Sequence, residues 1–187
     1  MITGGFGVKT GVLMGLTMAE VAAHETAAGY DIVLVIHVLS AVVATVAIAV
    51  AGGAGIAFRS ALVGGRPLSA GLERYYRPGI NWAGRTVMLV PIFGFALVGM
   101  SGGQWKIDDA WVSIGLVMWL VVAIVAEVML WPSERRLQAA VSEGLDPGTP
   151  GRSGDIVATL GLRCGLLGVG LVVILVAASF LMVAKPA

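Results

Sequence analysis

IVLVIHVLSAVVATVAIAVAGGAGIAF, residues 32–58, is a run of 27 residues in which His37 is the one ionisable side chain. A helix needs about 20 mostly apolar residues to cross the hydrocarbon core of a bilayer. Three further stretches reach this length with few charges, namely residues 80–100, 111–131 and 156–183. We therefore predict an all-α polytopic membrane protein, a bundle of four transmembrane helices within residues 31–187.

The composition agrees with a protein that has lipid as its solvent. Hydrophobic residues make up 58% of the chain and charged residues 12%, whereas a soluble domain carries about 25% charged residues. The net charge is +1 and no basic patch alternates with aromatic residues, which argues against nucleic-acid binding. Cys164 is the only cysteine, so neither an internal disulfide nor a cysteine-based metal cluster is available.

The arginines predict the orientation in the membrane. Nine of the twelve basic residues lie in residues 59–85 and 135–163, which four spans place on the same side. The positive-inside rule assigns that side to the cytoplasm and both termini to the outside. Richness in alanine, valine, glycine and arginine with few lysines suggests a bacterial source, and hence the plasma (inner) membrane. Residues 1–30 are predicted to form a separate outer-face segment, with 9–28 as an interfacial helix or a retained signal-like region.

Two prolines are expected to interrupt the helices. Pro91 lies inside the second span and predicts a kink, because proline lacks the N–H of a helical hydrogen bond. Pro132 follows Trp131 and predicts the end of the third helix, because the residue before proline disfavours the α conformation.

His37 is the main candidate for chemistry. At helical spacing it shares a face with small residues, among them Ala44, Ala51 and Gly55, so it should point into a seam between helices. One interpretation is a haem or metal ligand, a proton carrier or a quinone contact. The other is a neutral histidine hydrogen-bonded across the seam.

Three charged residues should lie at a similar depth near the opposite end of the bundle. Glu127 is one turn inside the end of the third span, and Arg85 and Arg163 are near the ends of the second and fourth. We predict a buried ion-pair cluster that ties three helices together. The functional alternatives are an anion or headgroup site and a proton relay through Glu127. The structural alternative is that both arginine side chains extend to the cytoplasmic surface without pairing.

Small residues recur at a spacing of four and favour close helix packing rather than catalysis. They are Gly161 and Gly165 in the fourth span, with Ala51 and Gly55 in the first. We find no catalytic motif and no metal-ligand set in the sequence, so we predict no catalytic or metal-binding residues.

The segments LVIHVLSAVVATVAIAVAGGAG, RYYRPGINWAGRTVMLVPIFGFALVGM and EVMLWPSERRL give the chain a family resemblance. It resembles the uncharacterised four-helix bacterial membrane family called domain of unknown function 2269, over roughly residues 30–185. The resemblance implies a fold and an early histidine in the first helix, and no activity.

Three functional hypotheses follow. The first is a non-catalytic accessory protein that packs against another membrane protein or against a second copy. The second is a haem- or quinone-handling protein that uses His37. The third is a small-solute or metal transporter that uses Glu127, Arg85 and Arg163.

Overall fold

The structure, a computed structural model, describes the backbone of residues 6–144 and 152–184 and the side chains of residues 27–144 and 154–184. Within these ranges the chain is helical and has no strand, which confirms the all-α prediction. The helices are α1 (Phe6–Val63), α2 (Ala70–Tyr75), α3 (Trp82–Arg85), α4 (Leu89–Met100), α5 (Ala110–Val125), α6 (Trp131–Ser142) and α7 (Arg152–Ala184).

Four helical segments are long and apolar enough to cross a membrane: Ala27–Val63, Trp82–Met100, Ala110–Ser142 and Gly154–Ala184. The protein is thus a multi-pass membrane protein, and large apolar side chains such as Ile32, Val117 and Phe180 are exposed on its surface. Such side chains are stable outside the core because lipid tails surround them.

The first helix runs without a break from Phe6 to Val63. The backbone therefore shows no interruption at residue 30, where the sequence suggested that a separate segment ends. The side chains of residues 1–26 lie outside the described residues, so the interfacial position of residues 9–28 stays a prediction.

The prediction that Pro132 ends the third helix is wrong. A π-helical turn, Ala126–Leu130, joins α5 directly to α6, and the Trp131 N–H bonds the Ala126 carbonyl across five residues. Such a wide turn accommodates a ring that would collide with a regular helix. The Ser133 hydroxyl also donates to the Met129 carbonyl at 2.7 Å. Residues 132–142, which the sequence predicts to begin a loop, are therefore helical.

Glycines bring α1 and α7 into close contact. A Cβ atom added to Gly55 would lie 2.7 Å from the Gly161 carbonyl oxygen, and one added to Gly168 would lie 2.6 Å from the Gly52 Cα. The predicted packing residue Gly165 lies against Ile56. Ala44 and Ala51, from the same set, are buried. Backbone approaches of this kind are typical of small-residue helix seams in membranes.

The bundle has two unlike ends. We call the end that holds residues 101–109 the short-loop end, and the end that holds residues 64–81 and α6 the arginine end. At the arginine end α2 and α6 close the bundle, and Phe58, Tyr76, Leu130 and Leu137 are almost fully buried. Towards the short-loop end α4 packs on α1 and α5 packs on α7, and a large cavity lies among these four helices.

Candidate ligand-binding cavity

The cavity at the short-loop end has a volume of about 690 Å³. Small-molecule sites in proteins occupy roughly 300–1,000 Å³ and are lined mostly by apolar side chains with a few polar groups. The apolar lining comes from all four helices and includes Leu34, Val38, Val42, Val90, Phe95, Val112, Leu116, Val176, Phe180 and Met182. Its size and chemistry therefore fit a lipophilic molecule.

His37 lies on the wall of this cavity and is 9% exposed. Its Nδ1 is 2.9 Å from the carbonyl oxygen of Val90 on α4. A carbonyl only accepts, so Nδ1 carries the proton, and the neutral ring has its lone pair on Nε2. Gly94 makes room for the ring, because a Cβ there would lie 3.3 Å from His37 Cε1. The structure thus shows the hydrogen bond across the seam that one interpretation of His37 predicts, and the role of ligand contact stays a prediction.

Some of the other polar groups on the wall already form hydrogen bonds within the protein, and others do not. The Thr45 hydroxyl donates to the Ala41 carbonyl at 2.7 Å and the Ser179 hydroxyl to the Leu175 carbonyl at 2.9 Å. Both hydroxyl protons are therefore already donated within their own helices. Within the described part of the chain, His37 Nε2 and the Tyr30 hydroxyl have no hydrogen-bond partner. These two groups lie two turns apart on one face of α1 and are the available polar contacts of the cavity.

Pro91 shapes the inner limit of the cavity. It cannot donate the regular helical bond to the Val87 carbonyl, and the chain forms a 3₁₀ turn, Thr86–Met88, just before it. The indole Nε1–H of Trp119 on α5 donates to that carbonyl at 2.8 Å. Neighbouring helices satisfy backbone groups freed by proline in this way inside membranes. The bond links α5 to the second span directly below the cavity, which a sequence pattern alone does not reveal.

Two tryptophans form the outer rim. Trp105, in the short loop, and Trp111, on α5, line the cavity and meet edge to face with ring centroids 5.4 Å apart. The loop turns sharply because Gly102 and Gly103 adopt φ of 63° and 88°, a region that favours glycine. Aromatic rings at this position suit the boundary between hydrocarbon and headgroups.

At the arginine end the structure pairs two of the three charged residues that the sequence brought together. Arg85 Nη1 lies 3.8 Å from Glu127 Oε1, and both side chains are about one third exposed, at 34% and 37%. Arg163 is exposed and forms no ion pair within the described residues. The reason is helical periodicity: Gly161, Cys164 and Gly165 face α1, which turns Arg163 away. The interaction is a partly exposed pair rather than a buried cluster of three.

Sequence reasoning missed a second polar centre, around Glu134. A helix end at Pro132 predicts that this residue lies in a loop, but it lies on α6 and is 5% exposed. Its Oε1 accepts hydrogen bonds from the Tyr75 hydroxyl at 2.6 Å and from Asn81 Nδ2 at 3.4 Å. Burial, and next the negative charge of Glu134, raise the pKa of Tyr75 above its usual range. The amphipathic pattern of residues 131–142 indicates a helix there, whereas Pro132 alone predicts a helix end.

The described residues contain no group of three or more His, Cys, Asp or Glu side chains placed to hold a metal ion. Comparison with known proteins gives no further identification, since no family model, curated protein or solved structure matches the chain. The resemblance to domain of unknown function 2269 therefore stays a prediction.

Proposed function

We propose that this protein binds a lipophilic molecule with a hydroxyl-bearing ring, of the quinol class, in the cavity at the short-loop end. The observation that carries the proposal is the Nδ1–Val90 hydrogen bond, which fixes the His37 ring with the Nε2 lone pair available at the wall of an apolar cavity. A ligand hydroxyl would donate to Nε2, and the apolar lining would hold the ring and tail. The function is binding, with no catalytic step.

The protonation of His37 supports a quinol rather than a quinone. A neutral imidazole that donates through Nδ1 offers only an acceptor at Nε2. A quinol O–H satisfies this acceptor, whereas a quinone carbonyl would face it lone pair to lone pair. The Tyr30 hydroxyl, two turns away on α1, can donate to or accept from the same ligand. We therefore expect His37 to favour the reduced form over the oxidised form, whereas the Tyr30 hydroxyl can bond either form.

Haem, the alternative cofactor for His37, fits this cavity less well. His37 does have the ring orientation that a haem ligand needs, because its Nδ1–H bonds a backbone carbonyl and Nε2 is the atom that would bind the iron. Carboxylate side groups of a haem would need cationic partners, and Lys106 is the only basic residue that the described part places at the short-loop end. His37 is the only histidine whose side chain is described, so a second histidine ligand would have to be His24, which lies outside the described side chains, or come from a second chain.

The experiment is a binding titration of the purified protein in nanodiscs. Tryptophan fluorescence follows the addition of a short-chain quinol, its quinone and its dimethyl ether. We expect the quinol to bind about tenfold more tightly than the ether, the factor that corresponds to one hydrogen bond of about 1.4 kcal/mol. His37→Phe should remove that preference, and the matched control Ser179→Ala should keep it, because Ser179 bonds its own helix. Equal affinity for quinol and ether in the unmodified protein would refute the proposal, as would a Soret band with bound haem.

The membrane orientation is part of the proposal. The arginine clusters support a cytoplasmic arginine end in a bacterial plasma membrane, with both termini and the quinol cavity towards the outer face. Cysteines introduced at the exposed positions Ile107 and Ser142, labelled from one side of intact cells, test this orientation. Labelling of Ser142→Cys from outside would reverse it.

Two other hypotheses remain predictions of lower rank. An accessory role alongside another membrane protein is compatible with the exposed apolar surface, but lipid accounts for that surface equally well. A transport path through Glu127, Arg85 and Arg163 loses support because Arg163 is exposed and forms no ion pair with Glu127.

A further inference from the structure

A second, smaller cavity lies at the arginine end. Its volume is about 70 Å³, enough for a few water-sized groups, since one such group needs roughly 10–15 Å³ by the same kind of measure. Asn81, Arg85, Glu134, Arg135 and Gln138 contribute polar side chains to its wall, with Ile80 and Trp131 beside them. A cavity of this size, with charged side chains of both signs on its wall, suits a compact ligand that carries charge.

Two of the wall residues are deeply buried and incompletely bonded. Glu134 is 5% exposed, and both of its hydrogen bonds go to Oε1, which leaves Oε2 without a partner among the described residues. Gln138 is 9% exposed, and its amide has no partner in the described part of the chain. Among the described residues, Trp131 Nε1 is the one fully buried polar side-chain atom without a hydrogen-bond partner, and Trp131 lines this cavity. A buried donor left unbonded costs free energy, so this donor, beside the unpartnered Glu134 Oε2 and Gln138 amide, indicates that a polar group occupies the cavity.

The charges define the chemistry of the occupant. No basic side chain among the described residues lies within 4.0 Å of the Glu134 carboxylate, and the adjacent Arg135 acts on it only through its charge. Across the same cavity Arg135 has no carboxylate partner in the described part, and Arg85 is only loosely paired with Glu127. A ligand with a positive group and a negative group a few bonds apart would satisfy both sides.

The position points to the lipid–water boundary. Ile80 lines the cavity and is 58% exposed, and Trp82, two residues on, is 71% exposed. Exposed tryptophan at the end of a transmembrane helix is typical of the headgroup layer. We propose that this cavity binds an amine-phosphate group, with the ammonium on Glu134 and Gln138 and the phosphate on Arg135 and Arg85. Its sources are the headgroup of phosphatidylethanolamine and free phosphoethanolamine.

This site is independent of the quinol cavity, because it involves neither His37 nor any side chain near it. The test is native mass spectrometry of the full-length protein in detergent. The probes are phosphatidylethanolamine, its mono- and dimethylated forms, phosphatidylcholine and phosphatidylglycerol, all with the same acyl chains. We expect phosphatidylethanolamine to bind about tenfold more tightly than phosphatidylcholine, since trimethylation removes every N–H that Glu134 can accept. Affinity should fall stepwise along the methylation series, which needs no mutation.

Matched variants on α6 test the protein side. Arg135→Gln should weaken the binding of all the phospholipids several-fold, whereas Arg136→Gln should not, because Arg136 is outside the cavity. Glu134→Gln should abolish the preference for phosphatidylethanolamine over phosphatidylcholine. If free phosphoethanolamine displaces phosphatidylethanolamine, the site takes the soluble group as a ligand. If phosphatidylethanolamine stays bound, the site takes the lipid as its ligand. Equal affinities along the methylation series, or equal effects of the two arginine variants, would overturn the proposal.

Discussion

Replacing Trp119 with phenylalanine should destabilise the bundle mainly by leaving one backbone carbonyl unpaired. Val87 is fully buried, and Pro91 gives its carbonyl no N–H, so the Trp119 indole at 2.8 Å supplies the side-chain donor. A buried acceptor without a partner costs about 1–3 kcal/mol, and hydrogen bonds between membrane helices contribute about 0.6–1.7 kcal/mol. We therefore expect a loss of about 1–2 kcal/mol in the free energy of unfolding, besides the packing lost with the smaller ring.

A double-mutant cycle separates these two contributions. In a Pro91→Ala background the N–H of residue 91 is restored and can bond the Val87 carbonyl as in a regular helix. Trp119→Phe should then cost about 1–2 kcal/mol less than it does in the unmodified protein, because only the packing loss remains.

The assay is equilibrium unfolding in mixed micelles with increasing SDS, followed by far-UV circular dichroism for the four proteins of the cycle. A cost for Trp119→Phe that is the same in the unmodified protein and in the Pro91→Ala background would refute the link between the indole and the proline.

Three further predictions concern packing and charge, each measured by the same unfolding assay. Gly55→Ala should lower the free energy of unfolding by about 1–3 kcal/mol, because its Cβ would press on the α7 backbone, whereas Gly53→Ala, with open space around it, should not. A double-mutant cycle should give at most about 1 kcal/mol of coupling between Arg85 and Glu127, reduced by their partial exposure, and none between Arg163 and Glu127. Because burial raises the pKa of Tyr75 and Tyr76, their stabilising contribution should be constant below pH about 10 and fall as the unfolded state ionises above it. Tyr75→Phe should reduce that fall, and an unchanged pH profile would contradict the raised pKa.

The four spans could be predicted from the sequence because each is a local property. The run around His37 and the other three long apolar stretches are set by the need to satisfy backbone groups inside lipid. The small residues at 55, 161 and 165 likewise carry their packing role in their spacing.

The sites could not be predicted as well, because they depend on which helices meet. Pro132 predicts a helix end, but a π-helical turn accommodates its ring and the helix continues. Glu134 therefore lies in a buried site on a helix rather than in a loop. Depth along the helices suggested that Arg163 meets Glu127, but depth does not fix rotation about the helix axis. The Val90 partner of His37 lies 53 residues away in the chain, beyond any local pattern.

In the proposed function, His37 presents an unprotonated Nε2 to a ligand in the apolar cavity. Nitrogen-15 NMR of the histidine side chains measures this protonation state, because the chain has only two histidines and His37→Phe assigns the signals. We expect the tautomer with the proton on Nδ1 in the free protein, and a change in the Nε2 resonance when the quinol is added but not when its dimethyl ether is added. A proton on Nε2 in the free protein, or no change in that resonance at saturating quinol, would contradict it.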